Sequence, residues 1–315
     1  MSVLVTGANG FIDSALCTRL RRDAVSVRGA VRTLKSQPGN AEDVAINSFS
    51  SEADWTSALR NLTQIVHLAA RVHVMNDKSA DPLAEFRRVN VEGTANLARQ
   101  AASAGVRRIV FMSAIKVNGK FTELDQPFTA DDVPTHKDLY GISKYEAEQS
   151  LRQIAAETGM EVVIIRSPLV YGPRVRGNFK SMVLQIFRGV LLPLAATINN
   201  RRSLVTLDNL VDLILTCLYH PAAANQTFLV SDGEDLSTVD LLNRMGKALG
   251  HPVRLFYVSL SLLKLGAVLI NKPGVYHRLC GSWQLDITKT RPLLGWTPPI
   301  SVDEGLRRVA KDLRA

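Results

Sequence analysis

Val3-Leu4-Val5-Thr6-Gly7-Ala8-Asn9-Gly10-Phe11-Ile12 is the stretch from which the fold of this chain is read. Three apolar residues, two of them β-branched, form a short strand, and a glycine-bearing turn follows at once. An apolar pattern at helical spacing then runs on through Leu16 and Leu20. A glycine pattern set between a strand and a helix points to a bound dinucleotide. Gly7 permits the tight turn, and Gly10 lets the backbone approach a pyrophosphate. The start of the helix offers free N–H groups to that anion. The competing reading is a glycine turn that holds no ligand.

Working outward, residues 25–31, 44–46, 65–70, 108–113 and 161–166 read as further strands. Helical patterns alternate with them, notably a long one over 81–103, opened by Asp81-Pro82 and closed by Gly105. Strands alternating with helices imply an α/β fold, with a parallel sheet covered on both faces. Ligands of such sheets sit at the carboxyl ends of the strands, an edge that gathers Gly7, Arg32, Ala69, Ser113 and the loop before Tyr140. Beyond Pro168 the pattern is less regular, with helices expected near 178–188, 208–219, 237–249 and 302–313 and short strands near 203–205 and 228–230. The division expected is a dinucleotide-binding domain over 1–170 and a mainly substrate-binding lobe over 171–315. Parts of 203–232 are expected to return to the first sheet.

Leu139-Tyr140-Gly141-Ile142-Ser143-Lys144-Tyr145 opens an amphipathic helix that Gly159 ends. Tyr140 and Lys144, four apart, share one face. An ammonium beside a phenol stabilises the phenolate, so the tyrosine could exchange a proton with an alcohol near neutral pH. Taken alone, two such residues at this spacing describe a solvated helix face equally well.

The chain has 315 residues, 46% hydrophobic and 21% charged, with a net charge of +9. The basic residues are scattered, with no long run and no interleaved aromatics, which argues against nucleic acid. An anionic cofactor and substrate account for the sign of the charge but not for its size. Cys17, Cys217 and Cys280 are odd in number and widely spaced, so reduced thiols in a cytoplasmic protein and no metal are expected. The first strand begins at Val3, which leaves no room for a signal peptide. The apolar segment 259–270 is too short to span a bilayer and reads as a buried or interface helix, with a contact at a membrane surface as the alternative.

Further stretches carry a family resemblance: His67-Leu68-Ala69-Ala70, Asn90-Val91-Glu92-Gly93-Thr94, Arg166-Ser167-Pro168-Leu169-Val170-Tyr171-Gly172-Pro173 and Leu294-Gly295-Trp296. With the glycine turn and Tyr140-x-x-x-Lys144, they make the chain resemble an extended short-chain dehydrogenase/reductase of the NAD-dependent epimerase/dehydratase family. Within that family it resembles nucleotide-sugar 4-epimerases and 4-keto-6-deoxy sugar reductases. The resemblance implies a Rossmann doubly wound parallel sheet with a smaller C-terminal α/β lobe, an NAD or NADP cofactor, a UDP-sugar substrate and a homodimer. It implies Tyr140 as acid/base at the sugar 4-hydroxyl and Lys144 as holder of the nicotinamide ribose. Gly7, Asn9, Gly10, Phe11, Ile12, Arg32, Leu68, Ala69, Ala70, Asn90 and Pro168 would complete the cofactor site. His73, Lys116, Asn178 and Arg202 would bind the substrate, Arg202 at its diphosphate.

Three positions depart from that pattern. Asp13 stands where the family has a third glycine, and its carboxylate would compete with the cofactor's pyrophosphate for the positive helix end. Ala114 stands where the family has a Ser or Thr that hydrogen-bonds the reacting oxygen. Ser113 could substitute catalytically only if the strand bulges, since successive side chains point to opposite faces. Val31-Arg32 replaces the acid that NAD-selective members place on the ribose hydroxyls. That change leans toward NADP, and so toward a reductase. Asp13 and Ala114 together also raise an alternative: a degenerate member that binds a nucleotide or a partner with little turnover.

Overall fold

The computed structural model describes residues 2–34, 43–72, 79–135, 138–269, 271 and 273–314. Twelve strands occur among them: β1 (Ser2–Thr6), β2 (Ser26–Val31), β3 (Val44–Ala45), β4 (Gln64–His67), β5 (Arg108–Ala114), β6 (Glu161–Ser167), β7 (Leu169–Tyr171), β8 (Leu191–Leu192), β9 (Arg202–Thr206), β10 (Thr227–Leu229), β11 (Asp235–Leu236) and β12 (Arg254–Leu255). The first eight α-helices are α1 (Phe11–Arg22), α2 (Thr56–Leu59), α3 (Pro82–Arg87), α4 (Gly93–Ser103), α5 (Leu139–Thr158), α6 (Gly177–Phe187), α7 (Leu207–Tyr219) and α8 (Thr238–Leu249). The last four are α9 (Leu260–Leu269), α10 (Pro273–Cys280), α11 (Thr290–Leu294) and α12 (Val302–Arg314).

Seven strands make one parallel sheet in the order β10-β6-β5-β4-β1-β2-β3. Order reverses at β1, so the carboxyl ends of β1 and β4 diverge there and leave the crevice that such sheets use for ligands. Both faces are covered. Val3, Val5, Val66, Val110 and Val163 pack under α1 and α7, while Leu4, Ile65, Ile109, Phe111 and Val162 pack under α4 and α5. This explains why the strands read as unbroken apolar runs and not as alternating ones.

Of 203–232, only β10 joins this sheet as a strand. β9 pairs with β7 and β11 in a separate three-stranded sheet, and α7 covers the main sheet from outside. A third apolar cluster, around Tyr171, Phe179, Leu242 and Leu306, forms the core of the C-terminal part. The helix expected over 81–103 is one continuous element with a π-helical turn at Arg88–Glu92. Such turns mark functional positions, and this one carries Asn90. The segment expected to be a buried or interface helix becomes α9, which buries Ala267 and little else.

Candidate active site

A cleft of about 1820 Å³ runs along the carboxyl edge of the sheet and into the C-terminal part. A single small ligand fills roughly 300–1,000 Å³, so this volume suits two ligands end to end. Gly7, Asn9, Gly10, Ile12, Arg32, Leu68, Ala69, Ala70 and Pro168 line its first end, as the sequence suggested. Gly7 has φ +79°, and its N–H donates to the Ala30 carbonyl at 2.9 Å, tying the turn to the end of β2. A Cβ there would press on the Ala69 backbone at 3.3 Å, so glycine allows the two segments to touch. Gly10 caps α1 without a side-chain hydrogen bond of its own, so the helix end is open to an anion except where Asp13 reaches it. Those features fit a dinucleotide. Phe11 does not line the cleft; its ring packs between the first and third apolar clusters.

Asp13 is 7% exposed and its carboxylate lies across both glycines. A Cβ on Gly10 would sit 2.0 Å from its Oδ2, and one on Gly7 would sit at 3.3 Å. Burial pushes this carboxyl up to about 7, against the N–H groups of Gly10 and of Asp13 itself, which hold it down.

The opposite wall is held by a buried chain of hydrogen bonds that the sequence did not reveal. Thr6 Oγ1 accepts the N–H groups of Leu68 and Ala69, each at 3.1 Å. Its own hydrogen is therefore free to go to His67 Nδ1 at 2.7 Å, which leaves His67 Nε2 to donate to Thr94 Oγ1 at 2.8 Å. Burial, helped by the charge of Lys144, pushes His67 down to about 3, so the ring is neutral and can play both parts. Asn90, 1% exposed, accepts the Arg71 N–H at 2.7 Å and donates to the Arg71 carbonyl and to Ser143 Oγ, both at 3.0 Å. Its amide is committed to protein groups. Asn90 is not among the residues that line the cleft; it braces the wall through Arg71 and Ser143.

α5 opens on Asp138, which accepts the Gly141 N–H at 2.8 Å, and closes on Gly159 at φ +75°. Tyr140 and Lys144 face the cleft from its first two turns. The Lys144 ammonium is 1% exposed and 4.1 Å above the Phe111 ring. Burial lowers it to about 7, while Glu148 one turn further on pulls the other way. Tyr140 departs from expectation: burial first, and Asp138 second, push the phenol above its ordinary value. In the protein by itself the tyrosine holds its proton.

Ser113 lines the cleft, but the bulge it would need to substitute for the residue missing at Ala114 is absent. β5 pairs with β6 without a bulge from Arg108 through Ala114, so the alternation of faces holds. The Ser113 hydroxyl donates to Glu148 Oε1 at 2.6 Å, and Glu148, fully buried, is also gripped by Arg166 at 2.6 and 3.0 Å. Ala114 presents the methyl group to the cleft. Ala114→Ser is expected to raise the turnover rate about threefold to tenfold, the value of one added neutral hydrogen bond, read from steady-state kcat. An unchanged kcat would mean that water already supplies the donor.

At the far end lie Lys116, Asn178 and Arg202. Lys116 pairs with Asp138 at 3.3 Å and lies 5.7 Å from the Tyr140 ring centre. α6 is capped by Arg176, so Asn178 is not the cap residue and is left to face the cleft. Arg202 is pulled below its usual range by burial and by Arg278, with Cys280 opposing. Sequence reading missed Arg278, Arg176 and Trp283, which line this end with Arg202. Arg202 and Arg278 line one end of the cleft and are close enough for the charge of one to act on the other, an arrangement suited to an anion. His73 lies outside the described residues. Among the described residues no group of His, Cys, Asp or Glu could hold a metal.

A glycine turn opening toward a half-buried tyrosine and a buried lysine on this sheet is the architecture of an extended short-chain dehydrogenase/reductase. The chain belongs to the NAD dependent epimerase/dehydratase family, whose model matches residues 3–231. It is 43% identical to a UDP-glucose 4-epimerase of Vibrio cholerae, over 98% of this chain and 94% of the relative. It is 27% identical to an N-acetyl-α-D-glucosaminyl-diphospho-ditrans,octacis-undecaprenol 4-epimerase of Escherichia coli O157:H7, over 98% and 93% of the two chains. A solved UDP-glucuronic acid 4-epimerase from Bacillus cereus in complex with NAD shares the fold, with a TM-score of 0.78, 20% identity and coverage of 100% and 97%.

Proposed function

We propose that the protein is a nucleotide-sugar 4-epimerase that acts on a UDP-hexose by hydride transfer at C4. The observation that carries this reading is the meeting of Tyr140 and Lys144 between the glycine turn and the arginine-lined end of one cleft. The 43% identical relative, which bears the name UDP-glucose 4-epimerase, supports the substrate class. The bound nicotinamide would supply the hydride acceptor, whose oxidised ring is cationic. Gly7, Gly10 and Ala69 would hold its dinucleotide, and Lys144 its ribose. Tyr140 would take the proton of the sugar 4-hydroxyl and return it on the way back. A cation placed beside this phenol opposes the burial and the Asp138 charge that hold it protonated. Arg202 and Arg278 would hold the diphosphate. Arg32, exposed at the end of β2 and lining the cleft, supports acceptance of a 2′-phosphate, so NADP is expected to bind as well as NAD.

Product analysis tests this reading. Incubated with UDP-glucose or UDP-N-acetylglucosamine and NAD, the protein is expected to yield the C4 epimer with no net change in near-ultraviolet absorbance. Steady consumption of NADPH with a 4-keto-6-deoxy UDP-N-acetylhexosamine, and no epimer, would assign a reductase instead. Dinucleotide binding without either product would favour the degenerate reading.

A further inference from the structure

Eight of the ten residues of α9 are exposed, and of those eight only Ser261 and Lys264 are polar. Leu262, Leu265, Val268 and Leu269 are 61%, 55%, 57% and 76% exposed. The strand pair β8–β12 leads directly into the helix and adds exposed Leu191, Phe256 and Tyr257. A helix that is apolar around most of its circumference belongs inside a core or in lipid. This one is in neither within the described residues.

Charge identifies what covers it. From Leu241 to Leu285 the chain carries no Asp or Glu, but six Lys or Arg: Arg244, Lys247, Arg254, Lys264, Lys272 and Arg278. Residues 167–207, which supply β8, likewise hold six cations and no acid. Arg244 is paired with Glu234 and Asp303, but α9 and the β8–β12 pair themselves carry Lys264 and Arg254 and no acid, so a second copy docked through them would set these cations against their own copies. A groove on a partner protein would cover one stripe and leave the other leucines in water. A continuous apolar phase bordered by negative charge satisfies both features. At ten residues α9 is about 15 Å long, half of what a span requires, and no helix of the described residues is long and apolar enough to cross a membrane.

We propose that α9 and the β8–β12 pair dock the protein on an anionic lipid bilayer. The leucines would enter the headgroup–acyl boundary, with Lys264 and Arg254 among the lipid phosphates. α10 packs on α9 and turns Gly274, His277 and Arg278 into the cleft. Docking therefore sets the substrate end of the cleft beside the headgroups. It also gives the excess of positive charge a task that a nucleotide ligand leaves unexplained.

Flotation of the full chain with vesicles tests this without any sugar, so its outcome is independent of the catalytic assignment. On equal mixtures of phosphatidylcholine and phosphatidylglycerol at low salt the protein is expected to float, and on phosphatidylcholine alone to float much less. High salt is expected to release it. Leu265→Gln/Leu269→Gln is expected to weaken flotation at least about tenfold, with little change in thermal midpoint because more than half of each side chain is exposed. Failure to float on the mixed vesicles, or equal flotation of the double variant, would overturn the proposal. So would concentration-dependent self-association that the double variant abolishes, which would give this face to a second copy.

Discussion

Asp13→Gly binds the nicotinamide dinucleotide about tenfold more tightly than the natural chain above neutral pH, and the advantage fades as the pH falls below 6. The carboxylate lies over the two glycines that form the cradle, close enough that a Cβ on Gly10 would overlap it. Two effects compete at that position. An acid in the first turn of α1 gains ~0.3–1 kcal/mol from the helix dipole. Desolvation outweighs it: moving the group from 3.8 to about 7 corresponds to ~4 kcal/mol. Near neutrality Asp13 is thus divided between acid and carboxylate. Below that point it is neutral and tolerates a diphosphate; above it, two anions share one helix end. Binding of the natural chain should therefore weaken as pH rises through 7 and be accompanied by proton uptake. The glycine variant should lack both. Calorimetric titration in two buffers of different ionisation enthalpy reads both quantities. Equal affinity for the two proteins across the range would dismiss the competition.

Lys144→Met should lose ~10²–10⁴-fold in kcat and yet melt several degrees higher. Burial lowers the lysine from 10.5 to about 7, so the folded state carries the ammonium at a cost. The direction follows from linkage. Below pH 7 both folded and unfolded lysine are protonated, and the folded state bears the whole cost. Between 7 and 10.5 the folded lysine is neutral while the unfolded one still binds a proton, so stability rises with pH. The gain from methionine should accordingly be largest below pH 7 and shrink toward 10.5. Tyr140→Phe makes the contrast, since it should lose rate without a gain of that pH dependence. Thermal melts of the three proteins at several pH values, without cofactor, decide it. A methionine variant no more stable than the natural chain at low pH would show that the ammonium is solvated or paired in the folded protein.

The two residues at the centre of the site were legible because their relation is local. Tyr140 and Lys144 share a face through the geometry of one helix, and Gly7 and Gly10 stand in one turn between a strand and a helix. The apolar runs announced a parallel sheet for the same reason, since burial on both faces leaves no alternation to hide it.

Other features depend on which distant segment comes to lie alongside. Spacing places Asn90 and Ser113 near the strand ends, but only the fold shows Asn90 held by Arg71 and Ser143 and the Ser113 hydroxyl held by Glu148. A strand near 203–205 could be read, but not its choice of β7 and β11 over the main sheet. Arg278 joined Arg202 only through the folding of α10 over the cleft. Sequence by itself determined the elements, their order and the chemistry available at the strand ends. Tertiary structure alone decided which of those groups lost their water, and with it the raised acid at Asp13, the lowered base at Lys144 and the apolar helix left uncovered. The reason is that spacing along a chain sets which way a side chain points, whereas its charge state and exposure are set by neighbours that may be a hundred residues away.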